Sequence, residues 1–322
     1  MMPYSFERLR NTIASLRAQT IREQIEVILA HGPDGASEVD AAQFREFHSF
    51  HRVQLHKHFH LEEAFAAGFA VATAPVVTYV EDHVTINAEW AEALVEAHRG
   101  PWVLVAPAME NGNDLESRTA RALFLIAFVE WYGHDRQCQI SSGPGHNTTY
   151  KRAALEPYRE RLSEVYGSER NLCYLLEANG GKMLIEPCAV TRHVNISKVR
   201  AGLAHAYYGG KVFAAHRASA MCRLEKLGRT LLAPAIPILQ LSKIIRILLA
   251  RRKFAEIGLI SVLPSLIVNL ALHAIGEVAG YWGDIDSATK IYQRFEMDRL
   301  SSVTEKDRAL LVPQKSAASN SA

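Results

Sequence analysis

Val71-Ala-Thr-Ala-Pro-Val-Val-Thr-Tyr-Val-Glu-Asp-His-Val-Thr-Ile-Asn-Ala-Glu-Trp90 joins a β-branched run to a cluster of acids and a histidine. Its opening small residues suit the end of a helix. Val76 to Val80 then has the β-branched and aromatic content of a buried strand. That strand runs into Glu81, Asp82 and His83, three side chains able to bind a metal ion. Open α/β sheets place their ligands at the carboxyl ends of strands, and these residues stand at such an end. The same three would also make a solvated turn, so the neighbouring segments have to decide.

The chain has 322 residues, enough for one large domain or two smaller ones with a sizeable core. A formal charge of +2 gives no global sign of a nucleic-acid partner. Cys138, Cys173, Cys188 and Cys222 are far apart and form no CxxC pair. They read as reduced, structural thiols in a cytosolic setting. The first residues show no basic-then-apolar signal pattern.

Phe6 to Thr20 has apolar residues at helical spacing (Phe6, Leu9, Ile13, Leu16) after Ser5, a candidate N-cap. Ile25 to Ala30 reads as a strand, broken by His31-Gly-Pro-Asp-Gly35. Asp34 in that loop is a candidate contact for a ribose or base, or simply a turn aspartate. His56, His58 and His60 alternate, so on a strand they share a face; a metal site and a row of surface histidines are both open there. Leu61 to Ala74, Glu89 to Arg99 and Thr119 to Tyr132 read as helices, the last apolar enough to be buried. Trp102 to Ala106 reads as a strand, and Met109 to Asp114 as a polar loop. In Ser141 to Tyr150 the glycines allow close backbone approach to a ligand, with His146, Asn147 and Thr148 offering hydrogen bonds. Ser168 to Gly180 reads as a helix capped by Ser168 and stopped by Asn179-Gly180-Gly181. Glu169 in its first turn is either a charge that suits the helix dipole or a catalytic base. Lys182 to Glu186 reads as a strand, with Ala189 to His193 extended. This alternation predicts an α/β domain with a mostly parallel sheet.

Beyond residue 196 the sequence reads as all helix. Leu231 to Ala250 is amphipathic, with Gln240, Lys243 and Arg246 on one face and Arg251-Arg252-Lys253 after it. Such a helix suits an anionic membrane surface, or packs on the domain with its basic face in water. Ile257 to Gly276 is long enough to span a bilayer. Its polar residues Ser261, Ser265, Asn269 and His273 recur every four positions, and Pro264 interrupts it. That stripe favours a helix in the interface, or packed on a neighbour, over a simple span. Residues 291–322 form a polar tail, expected to be disordered from Gln314.

Taken in order, these segments resemble the family 2 glycosyltransferases, which have a GT-A fold. The resemblance covers roughly residues 6–195. Asn11 to Thr20 followed by Ile25-Glu-Val-Ile28 is similar to the family's first helix and second strand. Tyr79-Val-Glu-Asp-His83 falls at its metal-binding Asp-x-Asp motif, and Gly145-His-Asn-Thr-Thr-Tyr-Lys-Arg152 at its Gly-x-Asn segment. Glu169 falls at the base that activates the acceptor. Pro187 to His193 resembles the strand end whose histidine completes the metal site. The later helices resemble the membrane-associated tail of some bacterial members.

The resemblance implies a nucleotide-sugar-binding catalytic domain at 1–196, a membrane-associated helical region at 197–290 and the tail. It implies inverting transfer from a nucleotide-diphosphate sugar, uridine diphosphate being the commonest donor, to a saccharide or lipid-linked acceptor. Glu169 would be the base. Glu81, His83 and His193 would bind a divalent metal, manganese favoured over magnesium because histidine stands where aspartate is usual. Asp34, Glu81, Asp82, Gly145, His146 and Asn147 would contact the donor. The expected location is the cytoplasmic side of the cell membrane, with no nucleic-acid partner. Arg170 replaces an acid the family often has beside the base. Only Met1 to Tyr4 precede the first helix, so the family's first strand is expected to be nearly absent. A non-catalytic, glycosyltransferase-like binding protein is the competing expectation.

Overall fold

The computed structural model describes the backbone of residues 6–33, 39–56, 60–166, 169–218, 221–283 and 285–311. In order it forms α1 (Phe6–Arg17), β1 (Glu26–His31), β2 (Ser49–Gln54), α2 (Leu61–Val71), β3 (Val76–Thr78), β4 (Val84–Ile86), α3 (Trp90–Ala97) and β5 (Trp102–Asn111). Then come α4 (Arg118–Phe128), β6 (Cys138–Ile140), β7 (Thr149–Lys151), α5 (Arg152–Leu155), α6 (Leu162–Tyr166), α7 (Glu169–Ala178) and β8 (Lys182–His193). The rest is helical: α8 (Val199–Ala218), α9 (Arg223–Leu232), α10 (Ala235–Ala250), α11 (Leu259–Trp282), α12 (Ile285–Met297), α13 (Arg299–Ser302) and α14 (Glu305–Leu311).

Two compact units result. The first holds residues 1–110, 134–193 and 309–322; the second holds 111–133 and 194–308. Helix α4, read from sequence as part of the α/β domain, thus belongs with the C-terminal helices.

The first unit is mixed α/β, as expected, and contains both parallel and antiparallel strand pairs. β1 and β2 pair in parallel, Glu26 opposite Ser49. The larger sheet runs β3-β7-β5-β8-β4, with β6 also on β8. Its β3–β7, β5–β7, β4–β8 and β6–β8 pairs are antiparallel. Helix–strand alternation specifies crossovers, but not which neighbour each strand takes. Here β7 returns between β3 and β5, which run the other way, and β8 runs opposite to β4 and β6. The core lies between α1, α3 and the sheets: Leu9, Ile13 and Leu16 meet Val27, Leu29, Val84, Trp90 and Leu94. The Trp90 indole donates to Thr191 Oγ1 at 2.9 Å, pinning α3 to β8.

Some local expectations change. β5 extends through the supposed loop to Asn111, and β8 continues through Pro187 to His193. β2 ends at Gln54, so His56 and His60 are not on a strand. His60 instead precedes α2, its backbone N–H donating to Glu63 at 3.0 Å, and His56 pairs with Glu63. His58, Ser168 and Gln314–Ala322 lie outside the described residues. Residues 291–311 of the tail are largely helical. The four cysteines are free thiols.

In the second unit, α11 packs along α8. The small residues Gly202, Ala206, Gly210 and Ala214 of α8 and Gly276 and Gly280 of α11 are buried. Absent side chains let the backbones approach closely: a Cβ on Gly210 would run into the His273 carbonyl, and one on Gly276 into that of Tyr207. Asn269 of the polar stripe is buried toward α8, close to Gly202. Ser261 accepts a hydrogen bond from Arg121 of α4 at 3.2 Å. The stripe therefore packs on neighbouring helices.

Candidate active site

Glu81, Asp82 and His83 occupy the short connection from β3 to β4, and the pairing of β4 with β8 sets Val84 opposite His193. Residues 110 positions apart are thereby brought together: His83 Nε2 lies 3.1 Å from His193 Nε2. Glu81 Oε1 is 3.7 Å from His83 Nε2, and Glu81 Oε2 is 3.5 Å from His193 Nε2. All three residues are buried, and their ligand atoms lie within 4.8 Å of one another.

The loop before β7 supplies the surroundings of Glu81. His146 Nδ1 is 2.8 Å from Glu81 Oε1. The Asn147 amide donates to Glu81 Oε2 at 2.8 Å, while its oxygen accepts from the Glu81 backbone N–H at 3.2 Å. Asn147 adopts φ +66° and Gly145 φ +83°. Asparagine tolerates this left-handed region better than most residues with a side chain. The Asn147 backbone N–H donates to the Tyr79 carbonyl at 2.7 Å. The Tyr79 ring stands 5.0 Å from the His146 ring.

Burial alone would push the Glu81 carboxyl up. The imidazoles of His83, His146 and His193 outweigh it and hold the carboxyl well below the usual range. Asp82 Oδ1 lies 2.9 Å from His83 Nδ1. With Nδ1 facing this carboxylate, Nε2 is the ring nitrogen turned toward His193 and Glu81. This is how outer-shell carboxylates orient metal-binding histidines. One ionised carboxylate and two imidazole nitrogens are a donor set that fits a divalent transition ion.

The structure thus brings Glu81, Asp82, His83, Gly145, His146, Asn147 and His193 into one neighbourhood. Asn147, expected to face the donor, has both side-chain polar atoms on Glu81. Asp34 lies outside the described residues. Glu169 opens α7, but its side chain is not among those described. One contributor was not read from sequence: the Thr12 hydroxyl of α1 lies 3.3 Å from the Glu81 carbonyl and 3.0 Å from that of Val84, tying the loop to the helix. The signal was there, because Thr12 is a polar residue among the core-facing positions Leu9, Ile13 and Leu16 and is fully buried.

The family model described as glycosyl transferase family 2 matches residues 5–159. No curated protein matches the chain. Among solved structures, the crystal structure of GalNAc-T7 with UDP, GalNAc and Mn2+ is similar at 13% identity and a TM-score of 0.37, over 52% of this chain and 37% of that one. The crystal structure of a mycobacterial protein is similar at 15% identity and a TM-score of 0.37, over 60% of this chain and 66% of that one. The site at Glu81, His83 and the Gly145–Asn147 loop lies within the matched residues, and over 5–159 the chain carries a domain of glycosyl transferase family 2.

Proposed function

We propose that the protein is an inverting, metal-dependent glycosyltransferase. It would move a sugar from a nucleotide-diphosphate donor, a uridine diphosphate sugar being the first to test, to a hydroxyl of a saccharide or lipid-linked acceptor. The observation that carries this reading is the convergence of Glu81, His83 and His193 beside a family 2 domain's Gly145–Asn147 loop. A divalent cation there, manganese favoured over magnesium by the two imidazoles, would neutralise the charge that grows on the diphosphate leaving group. Glu81 gives the site its anionic oxygen, and His146 and Asn147 fix that carboxylate. Asp82 holds His83 in the tautomer that presents Nε2. Glu169 takes the acceptor hydroxyl's proton as the oxygen attacks the anomeric carbon opposite the leaving group, which inverts the configuration. Asp34 contacts the donor's ribose or base.

Sugar transfer from a panel of nucleotide sugars, with manganese, with magnesium and with a chelator, tests this. Metal-dependent turnover that is lost in Glu169→Gln is the expected result. Turnover untouched by the chelator would remove the metal, and full activity in Glu169→Gln would remove the base. A second reading, a binding module without turnover, is favoured by one observation: β1 and β2 form a sheet apart from the other strands. Metal-dependent nucleotide binding with no transfer would select it.

Membrane contact at the cytoplasmic face is part of the same proposal. Among the described residues one helix, α11 with 24 residues, is long and apolar enough to cross a bilayer, and α9 with α10, bent by 58°, passes the same test as a pair. Ile260, Ile267, Val268 and Ile275 of α11 are exposed, as are Leu224, Leu231, Leu232, Ile238 and Leu239 of α9 and α10. Much of the basic charge has internal partners. Lys243 pairs with Glu130 and Lys253 with Glu256, while Arg251 donates to the carbonyls of Val129, Glu130 and Tyr132. Apolar side chains, not a basic surface, would therefore carry most of the contact. Sedimentation with neutral phosphatidylcholine vesicles should retain the protein at high salt. Binding that needs anionic lipid and is washed off by salt would contradict this.

A further inference from the structure

Helix α9 buries almost nothing of itself. None of its ten residues is buried. Leu224, Leu227 and Leu231 stand three and four positions apart, so they share one face, and all three are exposed. A helix this short is marginal in water and relies on burying an apolar face; here that face is uncovered. The Trp282 indole of α11 donates to Thr230 Oγ1 at 2.9 Å and ties α9 to the helical unit without touching the leucine row. Arg223, Lys226 and Arg229 recur every three residues beside that row. Glu225, the acid of this helix, accepts from the Cys222 backbone N–H at 2.8 Å. An uncovered leucine face bordered by cations fits the boundary between acyl chains and phosphate groups, where basic side chains sink their stems and keep their heads at the phosphates.

The next helix limits the depth of insertion. Ile238, Leu239 and Leu249 of α10 are exposed, and Arg246 is exposed on the same face, one turn before Leu249. A guanidinium on the apolar face keeps such a helix shallow, because carrying its charge to the bilayer centre is costly. With 10 and 16 residues and a 58° bend between them, neither α9 nor α10 crosses a bilayer by itself.

Helix α11 is long enough, but its surroundings oppose a crossing. Its exposed residues Ile260, Ile267, Val268 and Ile275 recur at helical spacing and make one stripe. Other sides are covered by protein that carries charge. Near its start, the buried Arg121 of α4 donates to the Ile257 carbonyl at 2.9 Å and to the Ser261 hydroxyl at 3.2 Å. Between residues 269 and 280 it lies along α8, close to Gly202, Gly210 and Lys211. Helix α8 carries Arg200, His205, Lys211, His216 and Arg217. Helix α12 packs on α8 in turn, with His205 3.5 Å from Glu296. Threading α11 through the hydrocarbon core would take these charges with it. A helix held at both ends against charged protein lies along a membrane surface, with its one apolar stripe turned to the lipid.

We propose that the helical unit enters a single leaflet of a phospholipid bilayer: α9 lies flat at the headgroup boundary, α10 and the exposed stripe of α11 dip in beside it, and α11 does not cross. The inference rests on the membrane contact proposed above and commits that contact to one side. The full chain is expressed in a bacterium, and sealed inverted vesicles are prepared from its inner membrane. Ala255→Cys and Lys290→Cys, exposed positions on either side of α11, are treated with a membrane-impermeant maleimide and read peptide by peptide. Both should label to the same extent without detergent. One position labelling only after detergent would overturn the inference and leave membrane contact standing. A wild-type chain that does not sediment with neutral phosphatidylcholine vesicles would sink the contact and the inference together. In a second arm, Leu224→Asp combined with Leu231→Asp should weaken sedimentation with those vesicles at least about tenfold, with the melting temperature in lipid-free solution retained. Unchanged sedimentation would remove α9 from the contact and overturn the proposal. So would the same pair splitting a dimer in lipid-free solution with vesicle binding intact, which would assign the leucine face to a second copy of the chain.

Discussion

His83 Nε2 and His193 Nε2 face each other at 3.1 Å across the β4–β8 pairing. Glu81 closes the group with one oxygen toward each imidazole. The ring planes are nearly perpendicular, at 79°, so the two imidazoles meet edge to face and do not stack. His83→Ala or His193→Ala should weaken manganese binding by at least about tenfold, and Asp82→Asn by a smaller factor within the range of outer-shell changes. Titration followed by electron paramagnetic resonance reads this directly. Equal affinity in wild type and His193→Ala would remove that histidine from the site.

Asn147 holds Glu81 by two hydrogen bonds while its own backbone sits at φ +66°. Asn147→Gly keeps the backbone conformation and loses the clamp. It should cost about 1–3 kcal/mol if Glu81 is left partly unsatisfied and lower metal affinity with little change in fold. Asn147→Asp places a second carboxylate against Glu81 and should be worse than glycine in the absence of metal. Chemical denaturation with and without manganese separates the two effects.

His98 is buried, with its ring nitrogens 2.9 Å from Thr149 Oγ1 and 3.2 Å from the Trp102 carbonyl. Burial pushes its pKa down from 6.5 to about 4, and nearby Lys151 pushes the same way. The folded protein therefore keeps this ring neutral where the unfolded chain protonates it. The stabilisation is fully present above pH 6.5 and is lost as pH falls toward 4, on the order of 3 kcal/mol in all. His98→Gln should flatten that part of the stability–pH curve. Identical slopes between pH 4 and 6.5 in both proteins would show that another group is responsible.

Gly210 and Gly276 sit where α8 and α11 come closest. Alanine at either position drives a methyl group into a backbone carbonyl of the other helix, and a packed backbone has little room to yield. A loss of about 1–3 kcal/mol is expected, as for other overpacked sites. Gly228→Ala on α9 meets nothing within 4 Å and should be neutral or slightly stabilising. Calorimetry on the three variants checks the contrast.

Much of the site was legible because the chemistry is local. Glu81-Asp82-His83 after a β-branched run, and Gly145-His146-Asn147 before an arginine-led helix, mark two loops by residue type alone. His193 was legible only through the family resemblance, since nothing nearby in sequence tells a strand-end histidine from a surface one. Asn147 reads from sequence as a donor contact, and only the structure adds that its side-chain amide bonds Glu81. The antiparallel pairs of the larger sheet were not legible, because pairing depends on segments far apart in the chain. The basic face of α10 read as free charge, whereas Glu130 takes Lys243 and three carbonyls take Arg251.

The sequence by itself determined the helices and strands, the apolar C-terminal helices and the loops that carry the acids and histidines. These follow from hydrophobic period, turn residues and side-chain chemistry, which act over a few positions. Only the packing of distant segments makes His83 and His193 meet, sets Asn147 and Thr12 against the Glu81 loop, and joins α4 to the helical unit. Each of these depends on the register and order of strands, set by packing between segments that the chain's local pattern does not connect.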